Sequence, residues 1–189
     1  MKKYSTLTKN VLVCLATAGV IAIAATSPFT VLRIAQHILR NNKLLAKEIE
    51  AWKVSRILQK LKRNKVIILK ETEKGDLVVE LTEQGKRKVK EIQLENLEIE
   101  KPSTWDGRWR VVIFDIPEEK WRSGRDALRD KLQKLGFVFI QKSVWVLPWP
   151  CENEILFLCE LYNIHAFVNI LTVEKIYNDV KLRKHFHLL

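Results

Sequence analysis

The sequence lacks the features that mark disulfide-rich, zinc-binding and nucleotide-binding proteins. Its 3 cysteines, Cys14, Cys151 and Cys159, give neither a disulfide framework nor the spacing of a zinc site, so we expect a reducing compartment. No P-loop, GxGxxG sequence or Ser/His/Asp set is present, so the sequence offers no nucleotide site. The 47% hydrophobic and 29% charged residues exclude a disordered or collagen-like chain.

Acidic residues are too few to balance the basic ones. The chain has 33 Lys and Arg against 22 Asp and Glu, a formal net charge of +11. Residues 1–104 carry 20 basic and 11 acidic side chains, whereas residues 105–189 carry 13 and 11. A basic half joined to a nearly neutral half indicates two modules. The basic module is suited to a polyanion, either nucleic acid or an anionic membrane surface.

An uncharged run, Val11–Leu32, follows three lysines near the N-terminus. It has three interpretations: a buried helix that opens a small domain, a membrane anchor, or a cleaved secretory signal with Ala22-Ile23-Ala24 as the cleavage site. The basic, cysteine-poor chain that follows weighs against secretion. We therefore predict a hydrophobic helix over residues 1–27 and a cytoplasmic protein, with membrane association through this run as the alternative.

Residues 28–93 have the element order of a winged helix-turn-helix domain. The apolar periodicity predicts helices over 29–40 and 44–63, strands over 66–69 and 77–81, and a helix over 81–92. Thr82 is the expected N-cap of the last helix. The string LKRNKVIILKETEKGDLVVELTEQG resembles the wing region of the winged-helix superfamily.

Residues 94–104 are predicted to form a linker, and residues 105–189 a ferredoxin-like domain. The pattern predicts a strand over 108–117, a helix over 118–137, one or two strands over 137–150, a helix over 151–164 and a strand over 166–176. This βαββαβ order is typical of the ferredoxin-like fold, with a last strand placed near 180–188 or supplied elsewhere. The predicted fold class is α+β.

The strings WDGRWRVVIFDIPEEKWRSGRDALRDKLQKLGF and QKSVWVLPWPCENEI, within residues 105–176, resemble the central domain of the phenylacetate-repressor (PaaX) family of bacterial transcriptional regulators. That domain is itself similar to the small CRISPR-associated endoribonucleases of the "Cas two" type. Together with an upstream winged helix, the resemblance implies a repressor-like regulator that binds double-stranded DNA as a homodimer, with the ferredoxin-like domain as the dimerisation domain.

The predicted DNA contacts lie on the 44–63 helix and on the wing. A helix in the major groove needs polar or cationic side chains toward base edges and Lys or Arg toward phosphates. The candidates are Lys47, Lys53, Ser55, Arg56, Gln59, Lys60, Arg63, Lys70 and Lys74. The apolar residues expected to face inward are Leu45, Ile49, Trp52, Ile57, Leu58 and Leu61. The alternative is that this Lys-rich helix has only a solvated face.

Asp115 is the one residue with a candidate catalytic chemistry. In the nuclease family that the domain resembles, aspartates of two protomers hold a divalent cation, which implies Mg²⁺ at Asp115 across a dimer. The alternative is that Asp115 caps the helix that starts near Glu118. We expect no cofactor and a binding protein rather than an enzyme. A metal-dependent nuclease and a membrane-tethered regulator are the alternative functions.

Overall fold

A computed structural model describes residues 4–19, 21–24, 30–41, 49–73 and 76–188 of the chain. The chain divides into two compact units, Met1–Asn96 and Leu97–Leu189. Helices and strands occur in both units, which confirms the predicted α+β class.

The first unit combines helices with a three-stranded antiparallel sheet. Its elements are α1 (Thr6–Ala18), β1 (Ile21–Ala24), α2 (Thr30–Asn41), α3 (Ala51–Arg63), β2 (Ile67–Glu71), β3 (Asp76–Leu81) and α4 (Glu83–Glu95). The strand order is β1-β3-β2. The predicted hairpin and the helices predicted over 29–40 and 81–92 are confirmed. Of the helix predicted over 44–63, α3 forms the part from Ala51, after the extended residue Glu50, and residues 44–48 lie outside the described residues.

The uncharged N-terminal run does not form one helix. α1 ends at Ala18, and Gly19 follows with a φ of 66°, a left-handed value that glycine adopts without strain. Ile21 then begins a strand that pairs with β3. The prediction of a single hydrophobic helix over residues 1–27 is therefore wrong. Among the helices of the described ranges, none is long and apolar enough to cross a membrane.

α3 owes its position to one apolar stripe. Val54, Leu58 and Leu61 recur at helical spacing and are at most 2% exposed. Full burial of one such side chain is worth about 2 kcal/mol. Trp52 was predicted to join this stripe, but it is 47% exposed. The reason is helical phase. Trp52 lies two positions before Val54, which turns its side chain about 200° around the helix axis and away from the apolar stripe.

The junction between β3 and α4 fixes the hairpin beside the end of α3. The Thr82 hydroxyl accepts a hydrogen bond from the Gly85 backbone N–H at 3.1 Å, which confirms Thr82 as the N-cap. The same hydroxyl donates to the Lys65 carbonyl at 2.7 Å. A Cβ on Gly85 would lie 2.2 Å from the Val66 carbonyl oxygen, so this close approach requires glycine. The LTEQG sequence thus holds the start of α4 against the entry to β2.

The second unit has the ferredoxin-like topology. Its elements are β4 (Trp109–Phe114), α5 (Glu118–Lys134), β5 (Val138–Gln141), β6 (Val144–Leu147), α6 (Glu152–Tyr162), a 3-10 turn (His165–Phe167), β7 (Val168–Val173) and α7 (Val180–His185). All strand pairs are antiparallel, in the order β5-β6-β4-β7. The βαββαβ order is therefore confirmed, and residues 137–150 form two strands.

Two boundaries of the second unit differ from the prediction. The strand expected near 180–188 is wrong, because β7 already completes the sheet and this segment forms α7. Its C-cap residue Phe186 packs against Trp109, with ring centroids 6.0 Å apart. The predicted linker 94–104 begins inside α4, which continues to Glu95. Ile99, further along, is buried in the second unit at 9% exposure.

A bidentate ion pair secures the start of β4. Asp106 accepts two hydrogen bonds from the Arg110 guanidinium, at 2.9 and 2.7 Å. Hydrogen bonding from Arg110 lowers the pKa of Asp106, and the same contact raises the pKa of Arg110. Glu152, at the start of α6, lies 3.6 Å from Arg110 Nε. Arg110 is only 6% exposed, so these carboxylates compensate a buried charge.

Candidate nucleic-acid interface

α3 presents a cationic surface opposite its apolar stripe. We call this surface the polar face of α3, and it consists of Lys53, Arg56, Gln59, Lys60 and Arg63. All five side chains are exposed, and all five were predicted from the sequence as DNA contacts. Their spacing of three or four residues places them on one side of the helix.

A groove of about 510 Å³ runs beside this face. The first turn of α1 contributes Ser5, Leu7 and Thr8 to its lining. α3 contributes the polar face together with Trp52 and Ile57. Among the described residues that line the groove there is no aspartate or glutamate. The groove is therefore a concave surface with cationic walls and a partly apolar floor.

Three cations of the groove have no acidic neighbour among the residues that the structure describes. Lys53 pairs with Glu50 at 3.0 Å, and this contact lowers the pKa of Glu50 through hydrogen bonding. In contrast, Arg56, Lys60 and Arg63 have no acidic partner within 4.0 Å in the described part of the chain. Uncompensated cations that converge on one concave surface attract anions.

Trp52 completes the groove and was missed as a functional residue by sequence reasoning. Its ring centroid lies 5.5 Å from Lys53 Nζ and 5.7 Å from Arg56 Cζ. Both cations thus lie within the range of a cation–π interaction. The signal that identifies Trp52 as exposed is its phase relative to the stripe formed by Val54, Leu58 and Leu61.

The first turn of α1 was also missed. Ser5 is the N-cap of α1, since its hydroxyl accepts a hydrogen bond from the Thr8 backbone N–H at 3.3 Å. The two hydroxyl groups lie 2.9 Å apart. A capping serine before an apolar run is the sequence signal that predicts this helix start.

The remaining predicted contacts are not brought to the groove. Ser55 is half-buried on α3 and does not line it. Lys70, on β2, pairs with Glu80 across the hairpin at 2.6 Å, which neutralises its charge. Lys47 and Lys74 lie outside the described residues.

Asp115 follows the last residue of β4 and is exposed. Its backbone N–H donates to the Phe167 carbonyl at 3.0 Å. The N-cap of α5 is Pro117, with no side-chain capping bond, so the helix-capping interpretation of Asp115 is wrong. No cluster of three or more metal-ligating side chains occurs in the ranges that the structure describes. A divalent cation at Asp115 would thus take its remaining ligands from water or from a second protomer.

The comparisons with known proteins concern mainly the second unit. Residues 102–184 match the family model of the PaaX protein central Cas2-like domain, which confirms the predicted resemblance over somewhat less than half of the chain. No curated protein matches the chain. A solved structure, the uncharacterized protein Rv0674 from Mycobacterium tuberculosis, is similar with 17% identity and a TM-score of 0.34. The match covers 93% of this chain and 64% of that chain, so this chain spans less than two thirds of that protein's length.

Proposed function

We propose that this chain, whose residues 102–184 form a PaaX-type Cas2-like domain, is a repressor-like transcriptional regulator that binds duplex DNA as a homodimer. The observation that carries the proposal is the polar face of α3, where Arg56, Lys60 and Arg63 have no acidic partner in the described residues. The phosphate backbone of DNA supplies the missing negative charge.

The topology of the first unit supports a winged helix-turn-helix domain. The element order is helix, strand, helix, helix and hairpin, and β1 pairs with the outer edge of the hairpin. In this arrangement α2 and α3 are the helix-turn-helix pair, and α3 is the recognition helix. The β2–β3 hairpin is then the wing.

The dimensions and chemistry of α3 suit the major groove. Its 13 residues make a rod about 20 Å long, enough to cross a groove about 12 Å wide. Gln59 is of the type that makes bidentate contacts with an adenine edge, and Arg56 is suited to a phosphate. Lys60 and Arg63, in the last turn of α3, are suited to phosphates.

The second unit supports dimerisation through β5, which lies at the edge of its sheet. Phe139 and Ile140 lie where the register of this strand shifts, and their apolar side chains are 66% and 46% exposed. An exposed apolar edge strand is a site for pairing with another strand. A second copy of β5, related by a twofold axis, would satisfy its unpaired backbone groups and present two recognition helices to paired half-sites.

A gel-shift selection on genomic fragments, with and without Mg²⁺, tests the proposal. We expect a subset of fragments to be retarded intact at low salt, in either condition. Failure to retard any duplex at low salt would contradict DNA binding. Mg²⁺-dependent degradation by the wild type, lost in Asp115→Ala, would instead support the nuclease alternative, which the exposed carboxylate and the Cas2-like match favour.

A further inference from the structure

We propose that the groove between α1 and α3 holds one strand of the DNA backbone, with Trp52 packed against a deoxyribose and Arg56, Lys60 and Arg63 on the neighbouring phosphates. This inference rests on the proposed duplex binding and assigns a non-ionic backbone contact to Trp52.

The shape and charge of the groove favour a sugar-phosphate chain as its occupant. Arg56 and Arg63 are seven residues apart, about 10.5 Å along the helix axis. One DNA strand advances about 3.4 Å per nucleotide along the duplex, so these cations span about three nucleotides. The lining residues of the described groove include four cations and no carboxylate. A strand that carries one negative charge per nucleotide complements that lining.

Trp52 supplies what the cations cannot, an apolar surface inside a charged groove. At 47% exposure, the indole of Trp52 leaves apolar area in contact with water among lysine and arginine side chains. The apolar faces of deoxyribose alternate with phosphates along a strand. On the protein, the apolar Trp52 ring likewise lies next to a cationic group, with 5.7 Å between the ring centroid and the Arg56 guanidinium carbon. The ring can therefore face a sugar while the guanidinium faces the adjacent phosphate.

The proposal separates two contributions that equilibrium binding can measure. A phosphate contact changes the slope of log K against log salt, by about 0.9 for each phosphate neutralised. A contact between a ring and a sugar releases no counterion and leaves the slope unchanged. Neither contact reads base identity, so both act equally on cognate and unrelated duplexes.

The experiment measures anisotropy of a fluorescent duplex selected by the wild-type protein, and of an unrelated duplex, over a salt series. The variants are Trp52→Ala, Trp52→Phe and Arg63→Gln. Arg87→Gln is the matched control, because Arg87 is an exposed arginine of α4 in the same unit and outside the groove. Circular dichroism melting of each free variant checks its fold.

We expect Trp52→Ala to weaken binding of both duplexes about tenfold without changing the salt slope, and Trp52→Phe to retain most of the affinity. Arg63→Gln should lower the slope by about 0.9, and Arg87→Gln should bind as the wild type. Wild-type affinity in a folded Trp52→Ala variant would overturn the inference but leave duplex binding intact. An effect confined to the selected duplex would also overturn it, because it would assign Trp52 to base reading. Failure of the wild type itself to bind would instead refute the proposed function.

Discussion

The guanidinium carbon of Arg56 lies 5.7 Å from the ring centroid of Trp52, one turn earlier on α3. At an exposed site such a cation–π contact is worth about 0.5–1 kcal/mol. This free energy is enough to favour one position of the Arg56 side chain, but it is smaller than the free energy gained by burying a core side chain. The pair therefore contributes to the shape of the groove more than to the stability of the fold.

The two sides of α3 should differ sharply in their effect on stability. Leu58→Ala removes a side chain that is 2% exposed and should lower the free energy of unfolding by about 2–5 kcal/mol. Trp52→Ala should change it by about 1 kcal/mol or less, since the ring is half exposed. Urea denaturation followed by circular dichroism measures both. Equal losses would mean that Trp52 belongs to the core.

The stability of the second unit should depend on pH through Asp106. Because Arg110 lowers the pKa of Asp106 in the folded chain, the ion pair stabilises above the ordinary pKa of an aspartate. That stabilisation is lost as the pH falls through the lowered pKa, where the folded carboxylate takes up its proton. Asp106→Asn should remove this dependence and cost about 1–2 kcal/mol at neutral pH, since the carboxylate is 43% exposed and partly screened.

Thermal denaturation over a series of acidic pH values compares the wild type with Asp106→Asn. The two curves should converge at the acidic end. Asp130→Asn, at an exposed aspartate of the same unit, is the control for a general effect of removing negative charge. A constant gap between wild type and Asp106→Asn down to the lowest pH would exclude Asp106 as the source of the dependence.

The cysteines of the second unit should be inert in the native protein. Burial raises the pKa of Cys151 to about 12 and that of Cys159 to about 11. The thiolate is the reactive form, so at pH 8 both side chains should resist iodoacetamide. Mass spectrometry should find them alkylated only after denaturant is added. Rapid native alkylation would show that this part of the core opens readily.

The edge strand β5 should control the oligomeric state. Phe139→Lys places a charge on a side chain that is 66% exposed in one protomer, so the protomer fold should persist. We expect a dimer of the wild type and a monomer of the variant by light scattering at micromolar concentration. Tyr177→Lys, at a side chain 93% exposed and away from β5, is the control and should stay dimeric. An unaltered dimer of Phe139→Lys would place the interface elsewhere.

Local patterns predicted most of the elements correctly. The hairpin, the Thr82 cap and the alternation of strands and helices in the second unit each depend on residues close together in sequence. The fold class and the resemblance of residues 105–176 follow from these patterns. Five of the nine predicted DNA contacts also meet in one groove, because helical spacing alone places them on one side of α3.

Features that depend on packing between distant segments could not be predicted. Gly19 breaks a run that composition alone describes as one hydrophobic helix, and β1 becomes visible only through its pairing with β3. α7 replaces an expected strand because the sheet is already complete without it. Trp52 was placed in the core because an apolar side chain was assumed to be buried. It is exposed because α2 and the rest of the first unit cover the side of α3 that carries the apolar stripe, and Trp52 lies on another side.

The salt dependence of duplex binding tests the central claim most directly. The dissociation constant of a selected duplex is measured over a salt series for the wild type, for a variant that combines Arg56→Gln, Lys60→Gln and Arg63→Gln, and for Arg87→Gln. We predict a steep negative slope for the wild type and for Arg87→Gln, and a slope lower by about 2.7 for the triple variant. A triple variant that folds and binds with the slope and affinity of the wild type would show that the polar face of α3 is not the DNA-binding surface.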